Sequence, residues 1–136
     1  MNVEMALNRL EKVIAERGSG AYVLTVTADG RPHAVYLDVT WDGGRLVATG
    51  LGATTAANAT ARPNVSLLFP VTAAADYTLF VDGPATVETR GDERRLTVTP
   101  ARAVFHRPGA PRDPASSCTS DCVPLLQVPT RVAPPR

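Results

Sequence analysis

The chain has 136 residues, 44% of them hydrophobic and 20% charged, with a formal net charge of +1, which is the size and polarity of one globular domain. So even a balance leaves no basic field to gather a phosphate backbone, and nucleic acid is excluded as an expected partner. Acids run through MNVEMALNRLEKVIAERG and break any apolar stretch that could serve as a secretory signal or membrane span, so no membrane association and a cytoplasmic location are expected.

In chain order, Val3, Ala6, Leu10, Val13 and Ile14 recur at helical spacing over residues 2–17, with Glu4, Arg9, Glu11 and Lys12 opposite and Gly18 just past the end. This pattern predicts a short amphipathic helix. In AYVLTVTADGRPHAVYLDVTW two alternating runs flank Asp29-Gly30, a strong hairpin signal. Within the second run His33, Val35, Leu37, Val39 and Trp41 share the face expected in the core, and Ala34, Tyr36, Asp38 and Thr40 share the other. Asp42-Gly43-Gly44 turns the chain into the strand RLVATG. LGATTAANATARP then reads as a short helix closed by Pro63, and NVSLLF as a buried strand.

Beyond a small loop, DYTLFVDG and PATVETR are expected to pair with each other across Gly83, and ERRLTVTPARAVFHR is β-rich with Pro100 at a bulge or an edge. From Pro108 onward Pro, Ser and Arg dominate. The expected organisation is therefore a folded domain over 1–107 and an extended Pro-rich tail over 108–136. That tail holds the chain's two cysteines, Cys118 and Cys122, in CTSDC. Two thiols make only half of a structural zinc site, so reduced, idle thiols are expected ahead of a disulfide, and a metal completed by His106 comes last.

Six or seven short antiparallel strands with hairpin connections suggest a small barrel, because closure removes exposed edges. Dimerisation would cover apolar strand surface that so small a barrel leaves open.

The succession of a strand, a DGRPH strand, a turn, a strand ending in TG, a small-residue helix, RPNVSLLFP and a strand ending in Gly before PATVE resembles the pyridoxamine 5′-phosphate oxidase-like family. That family holds FMN-dependent oxidases and deazaflavin-dependent reductases. The resemblance spans about residues 21–88, and GLGATTAANATARPNVSLLFP is its most specific stretch. It implies a mainly β fold, a six- to seven-stranded antiparallel split β-barrel of Greek-key type with an N-terminal helix and one short helix after the third strand. It also implies a homodimer, with FMN or the deazaflavin coenzyme F-420 as cofactor between subunits, and oxidoreductase activity on a small substrate. The alternative is a non-catalytic member that binds flavin, haem or another planar ligand weakly, or has lost its cofactor.

The oxidase branch holds the FMN phosphate with a basic residue at the start of the second strand, a Lys at its end and a Ser-Arg-Lys run opening the short helix. At these positions stand His33, Asp38 and Ala53-Thr54-Thr55, leaving hydroxyls and amides where a phosphate favours cations. Thr54 and Thr55 would also suit the helix cap. Thr49 ends the third strand where members contact the ring or its chain, Asn58 stands in the helix where many reductases place an Asn, and Thr78 replaces a strand residue facing the ring. Val35, Tyr36 and Leu37 would supply backbone groups along the flavin edge, and Tyr36 or water would be the proton source. No substrate helix follows the sixth strand and the tail has no Trp, so oxidation of pyridoxamine phosphate itself is not expected. The sequence holds no nucleophile elbow or phosphate loop, which agrees with a cofactor that carries the chemistry.

Overall fold

The computed structural model describes residues 3–71, 73, 76–111, 113–115 and 120–128. Helix α1 (Val3–Arg17) buries Ala6, Leu10 and Ile14, the stripe its periodicity marks, while Val3 overhangs at 47% exposure. Strands β1 (Gly20–Val26) and β2 (Pro32–Asp42) form the expected hairpin. Gly30, at φ +87°, takes the left-handed position of a three-residue loop closed by Thr27 N–H to Arg31 O at 2.9 Å. Asp29 accepts from the Thr27 hydroxyl and from Arg31 Nε, and these bonds, the Thr27 one foremost, hold its carboxyl below the usual range. Next come β3 (Arg45–Thr49), α2 (Ala53–Ala61) and β4 (Asn64–Phe69).

β5 (Thr78–Arg90) is one continuous strand, so the expected pairing of DYTLFVDG with PATVETR is corrected. Its first half pairs with β4 on one edge and β7 (Arg102–Arg107) on the other; its second half pairs with β6 (Glu93–Val98). Gly83 sits where β5 changes partners, because an added Cβ there would come within 1.9 Å of the Thr99 carbonyl oxygen. Glycine serves here for close backbone approach and no turn forms. β2 changes partners in the same way, pairing with β1 through Pro32–Asp38 and with β3 through Val39–Asp42.

The pairings run β1-β2-β3-β6-β5-β4 and return to β1, a closed six-stranded antiparallel barrel. Its interior is filled by alternate residues of every strand, among them Val23, Val39, Leu46, Leu67, Phe69, Val81, Leu96 and Val98, with Leu10 of α1 packed into the same core.

β7 extends the sheet beyond the barrel, and an eighth strand, β8 (Asp121–Gln127), lies within the segment expected to be an extended tail. That expectation is corrected over these residues. A bulge opposite Ala103/Val104 lets Leu125 and Leu126 both turn inward despite being consecutive, and α1 packs over them. Pro124 is tolerated because β8 is the outer strand. Asp121, only 6% exposed, anchors its start by accepting from Arg107 Nε and Tyr77 Oη, each at 2.7 Å. The Arg107 guanidinium stacks 4.3 Å from the Tyr77 ring centre, and its bond to Asp121 holds its pKa above the ordinary value. Cys122 carries a disulfide, against the expectation of reduced thiols there, while Cys118 lies outside the described residues.

Candidate functional site

β2 and β3 separate after the Val39–Ala48 pair, so Asp38 and Thr49 are the first residues past the point of divergence and flank the mouth of a wedge. One edge of this wedge is the outer edge of β2. Val39 N–H donates to Ser19 O, and Thr27 N–H to Arg31 O, which fixes the odd-numbered residues of β2 as those bonded to β1. The backbone N–H and C=O groups of Ala34, Tyr36 and Asp38 therefore point into the wedge, where no described strand takes them up.

The other edge leads from Thr49 through Gly50, whose φ of +79° turns the chain, and buried Leu51 into α2. The N-cap is Gly52, with no side-chain cap bond, so the expectation that Thr54 or Thr55 caps the helix is corrected. Ala56 N–H is the first to bond back, to Gly52 O at 3.1 Å. The amides of Ala53, Thr54 and Thr55 are thus left without intrahelical acceptors, and no acid stands in the first turn. Thr54 is exposed, whereas Thr55 is buried at 2% exposure and packs α2 onto the barrel.

His33, Val35 and Leu37 occupy the inward face of β2 but are only half-buried, while Tyr36 and Asp38 are exposed on the outward face. Tyr36 meets Tyr22 edge-on at 5.1 Å and lies over Gly20, where a Cβ would sit 1.8 Å from its hydroxyl. The absent side chain at Gly20 thereby seats the Tyr36 ring. His33 stands opposite Thr25 on β1, and its Nδ1 is the one fully buried side-chain nitrogen or oxygen without a hydrogen-bond partner among the described residues. Asn58, 5% exposed, donates from Nδ2 to Thr25 Oγ1 at 3.1 Å and so ties α2 to β1 beside that histidine.

Sequence reasoning missed one cation. Arg94 of β6 reaches the Leu51 carbonyl at 3.4 Å and brings its guanidinium to the α2 end of the wedge, whereas Arg95, opposite Thr49 in strand register, turns its guanidinium to Glu93 Oε1 at 3.9 Å. The Arg-Arg run was visible in ERRLTV, but only strand register places Arg94 there. Thr78 is not brought in: it begins β5, three strands from β2 in the order β2-β1-β4-β5, and pairs with His106. A planar anionic cofactor fits the remaining set, because open strand amides suit a heterocycle edge, helix amides with the nearby Arg94 guanidinium suit a phosphate, and the His33 nitrogen awaits a partner.

A family model described as pyridoxamine 5′-phosphate oxidase matches residues 10–118, ending just before β8. The chain is similar to an uncharacterized protein of Mycobacterium bovis, with 38% identity over 117 residues, covering 76% of this chain and 82% of that one. Among solved structures it is similar to an F420 reductase, with TM-score 0.58 and 19% identity over 68% of this chain and 94% of that chain. It is also similar to a haem-binding protein from Mycobacterium smegmatis, with TM-score 0.59 and 16% identity over 74% of this chain and 53% of that chain.

Proposed function

The chain belongs to the pyridoxamine 5′-phosphate oxidase-like family, and from that premise we propose that it is a cytoplasmic, homodimeric oxidoreductase that holds FMN or the deazaflavin F-420 in the wedge between β2 and β3. The observation that carries this reading is the unpaired β2 edge, which ends at Asp38 across from Thr49, with the open amides of α2 following Thr49 through Gly50–Gly52. The cofactor, when bound, supplies hydride transfer at its ring. This chain's residues bind and orient it. The Ala34, Tyr36 and Asp38 backbone groups read the ring edge, Thr49 closes the mouth, and the Thr54 and Thr55 amides with Arg94 take the phosphate. Tyr36, seated by Gly20, presents its hydroxyl at the outward rim as a proton donor to substrate. A homodimer with its interface along the outward face of β2 and the loop after Phe69 would bring Thr78 of a second copy toward this groove, which it does not reach within one copy.

Asp38 favours a second reading, a non-catalytic binder of a planar ligand such as haem, because its carboxylate repels a phosphate where related oxidases place a Lys. The two readings part on one variant. Since Thr55 is buried, the position able to accept a new cation is Thr54, and Asp38→Lys combined with Thr54→Lys should tighten FMN binding about ten- to a hundredfold, as expected for one or two added charge-assisted contacts. Fluorescence titration of the folded variant checks this. Unchanged FMN affinity would mean that the phosphate does not lie in the wedge.

A further inference from the structure

Asn58 stands in α2 where the family pattern suggests a cofactor contact, yet its amide is engaged inside the protein. An arginine can only donate, so the Arg62 Nη2 contact at 3.5 Å marks the Oδ1 end, and Nδ2 donates to Thr25 Oγ1 at 3.1 Å. Asn58 is 5% exposed and Thr25 2%, which leaves almost no surface of either for a ligand. Arg62, four residues on and therefore on the same side of the helix, is the C-cap of α2. Its Nε donates to Val26 O at 2.7 Å and its backbone N–H to Asn58 O at 2.8 Å. Among the described residues the Asn58 and Arg62 bonds are the side-chain hydrogen bonds that tie α2 to the barrel, and both land on the last residues of β1. At its other end α2 is entered through Gly50 and Gly52, either side of buried Leu51, with no side-chain cap. The far end therefore sets the direction in which the open amides of Ala53, Thr54 and Thr55 point, about 12 Å away along the axis. We propose that Asn58 and Arg62 are positioning residues for the phosphate end of the wedge, acting through the aim of α2 without touching the cofactor.

These roles rest on the wedge reading, and the test separates the two. The unaltered 136-residue protein, Asn58→Ala and Arg62→Ala are each titrated with FMN and with riboflavin, which carries the same ring and no phosphate. Circular dichroism checks that each is folded. Should Asn58→Ala fail to fold, Arg62→Ala, a change at a half-buried position, carries the comparison. Both variants should bind FMN about five- to tenfold more weakly than the unaltered protein, as expected for helix amides that no longer meet the phosphate, while riboflavin binds all three alike. A direct contact of Asn58 with the ring would instead weaken both flavins in Asn58→Ala and neither in Arg62→Ala, and that result would overturn the proposal. General loosening of the fold would weaken both flavins in both variants and would overturn it as well. The cofactor-free protein gives a second readout. In amide nuclear magnetic resonance spectra the Ala53, Thr54 and Thr55 signals should move in Arg62→Ala, and signals that stay in place would count against the proposal. FMN binding equal in all three proteins would overturn these roles alone, whereas an unaltered protein that binds no FMN would overturn the wedge reading along with them.

Discussion

A chain ended at Pro108 is expected to lose cooperative folding. Truncation there removes β8, and with it Leu125 and Leu126, which fill the space between β7 and α1. Emptying a buried leucine site costs about 2–5 kcal/mol even when only the side chain is cut back. Loss of the whole strand also leaves the Arg107 and Tyr77 partners of Asp121 without their carboxylate and bares the edge of β7. The sum reaches the whole of a typical domain stability of about 5–15 kcal/mol. Thermal denaturation followed by circular dichroism should show no sharp transition for the truncated chain. Leu126→Ala alone should lower Tm by about 8 °C or more. A truncated protein melting within about 3 °C of the full chain would show that β8 adds nothing to the barrel. Reduction of the Cys122 disulfide should matter far less, since it leaves Asp121, Leu125 and Leu126 of β8 in place.

Gly83→Ala is expected to destabilise the protein by about 3–5 kcal/mol. The new methyl would meet Thr99 O at 1.9 Å, Thr99 C at 2.9 Å and Ala101 N at 3.2 Å, all of them backbone atoms that cannot rotate away. Relief requires moving the β6–β7 connection off β5. That motion strains the two hydrogen bonds holding it there, Thr99 N–H to Pro84 O at 2.9 Å and Ala101 N–H to Asp82 O at 2.8 Å. Two weakened bonds at about 1 kcal/mol each, added to about 1–3 kcal/mol of overpacking, give the stated range. Denaturant unfolding measures it. A loss below about 1 kcal/mol would mean that the strand crossing is loose enough to absorb a methyl group.

These two positions mark where sequence reading and structure part. The α1 stripe, the Asp29-Gly30 hairpin, the Asp42-Gly43-Gly44 turn and α2 were legible because periodicity and turn chemistry act over a few residues. Gly83-Pro84 carries the same local signal as a turn, yet its cause is a contact with Thr99, far along the chain. β8 was hidden because Pro124 and the bulge at Leu125 erase strand alternation inside a Pro-rich stretch. At the candidate site, the family pattern pointed to β2, Thr49 and α2, and the structure gathers them around one wedge. Arg94 was not legible, since β6 register and not local sequence sets it beside Leu51. The position of Thr78 likewise depends on strand order, which no short window encodes.

Equilibrium titration of the purified 136-residue protein with FMN and with F-420, followed by cofactor fluorescence, tests the wedge most directly. With hydroxyls and amides in place of some phosphate cations but Arg94 at hand, the account predicts saturable binding of at least one of the two, with a Kd of roughly 1–100 μM. It predicts one cofactor per subunit, and loss of that binding when Thr49→Trp fills the mouth of the wedge in a protein that still folds. Failure of both cofactors to bind at about millimolar concentration, or binding indifferent to a folded Thr49→Trp variant, would contradict it.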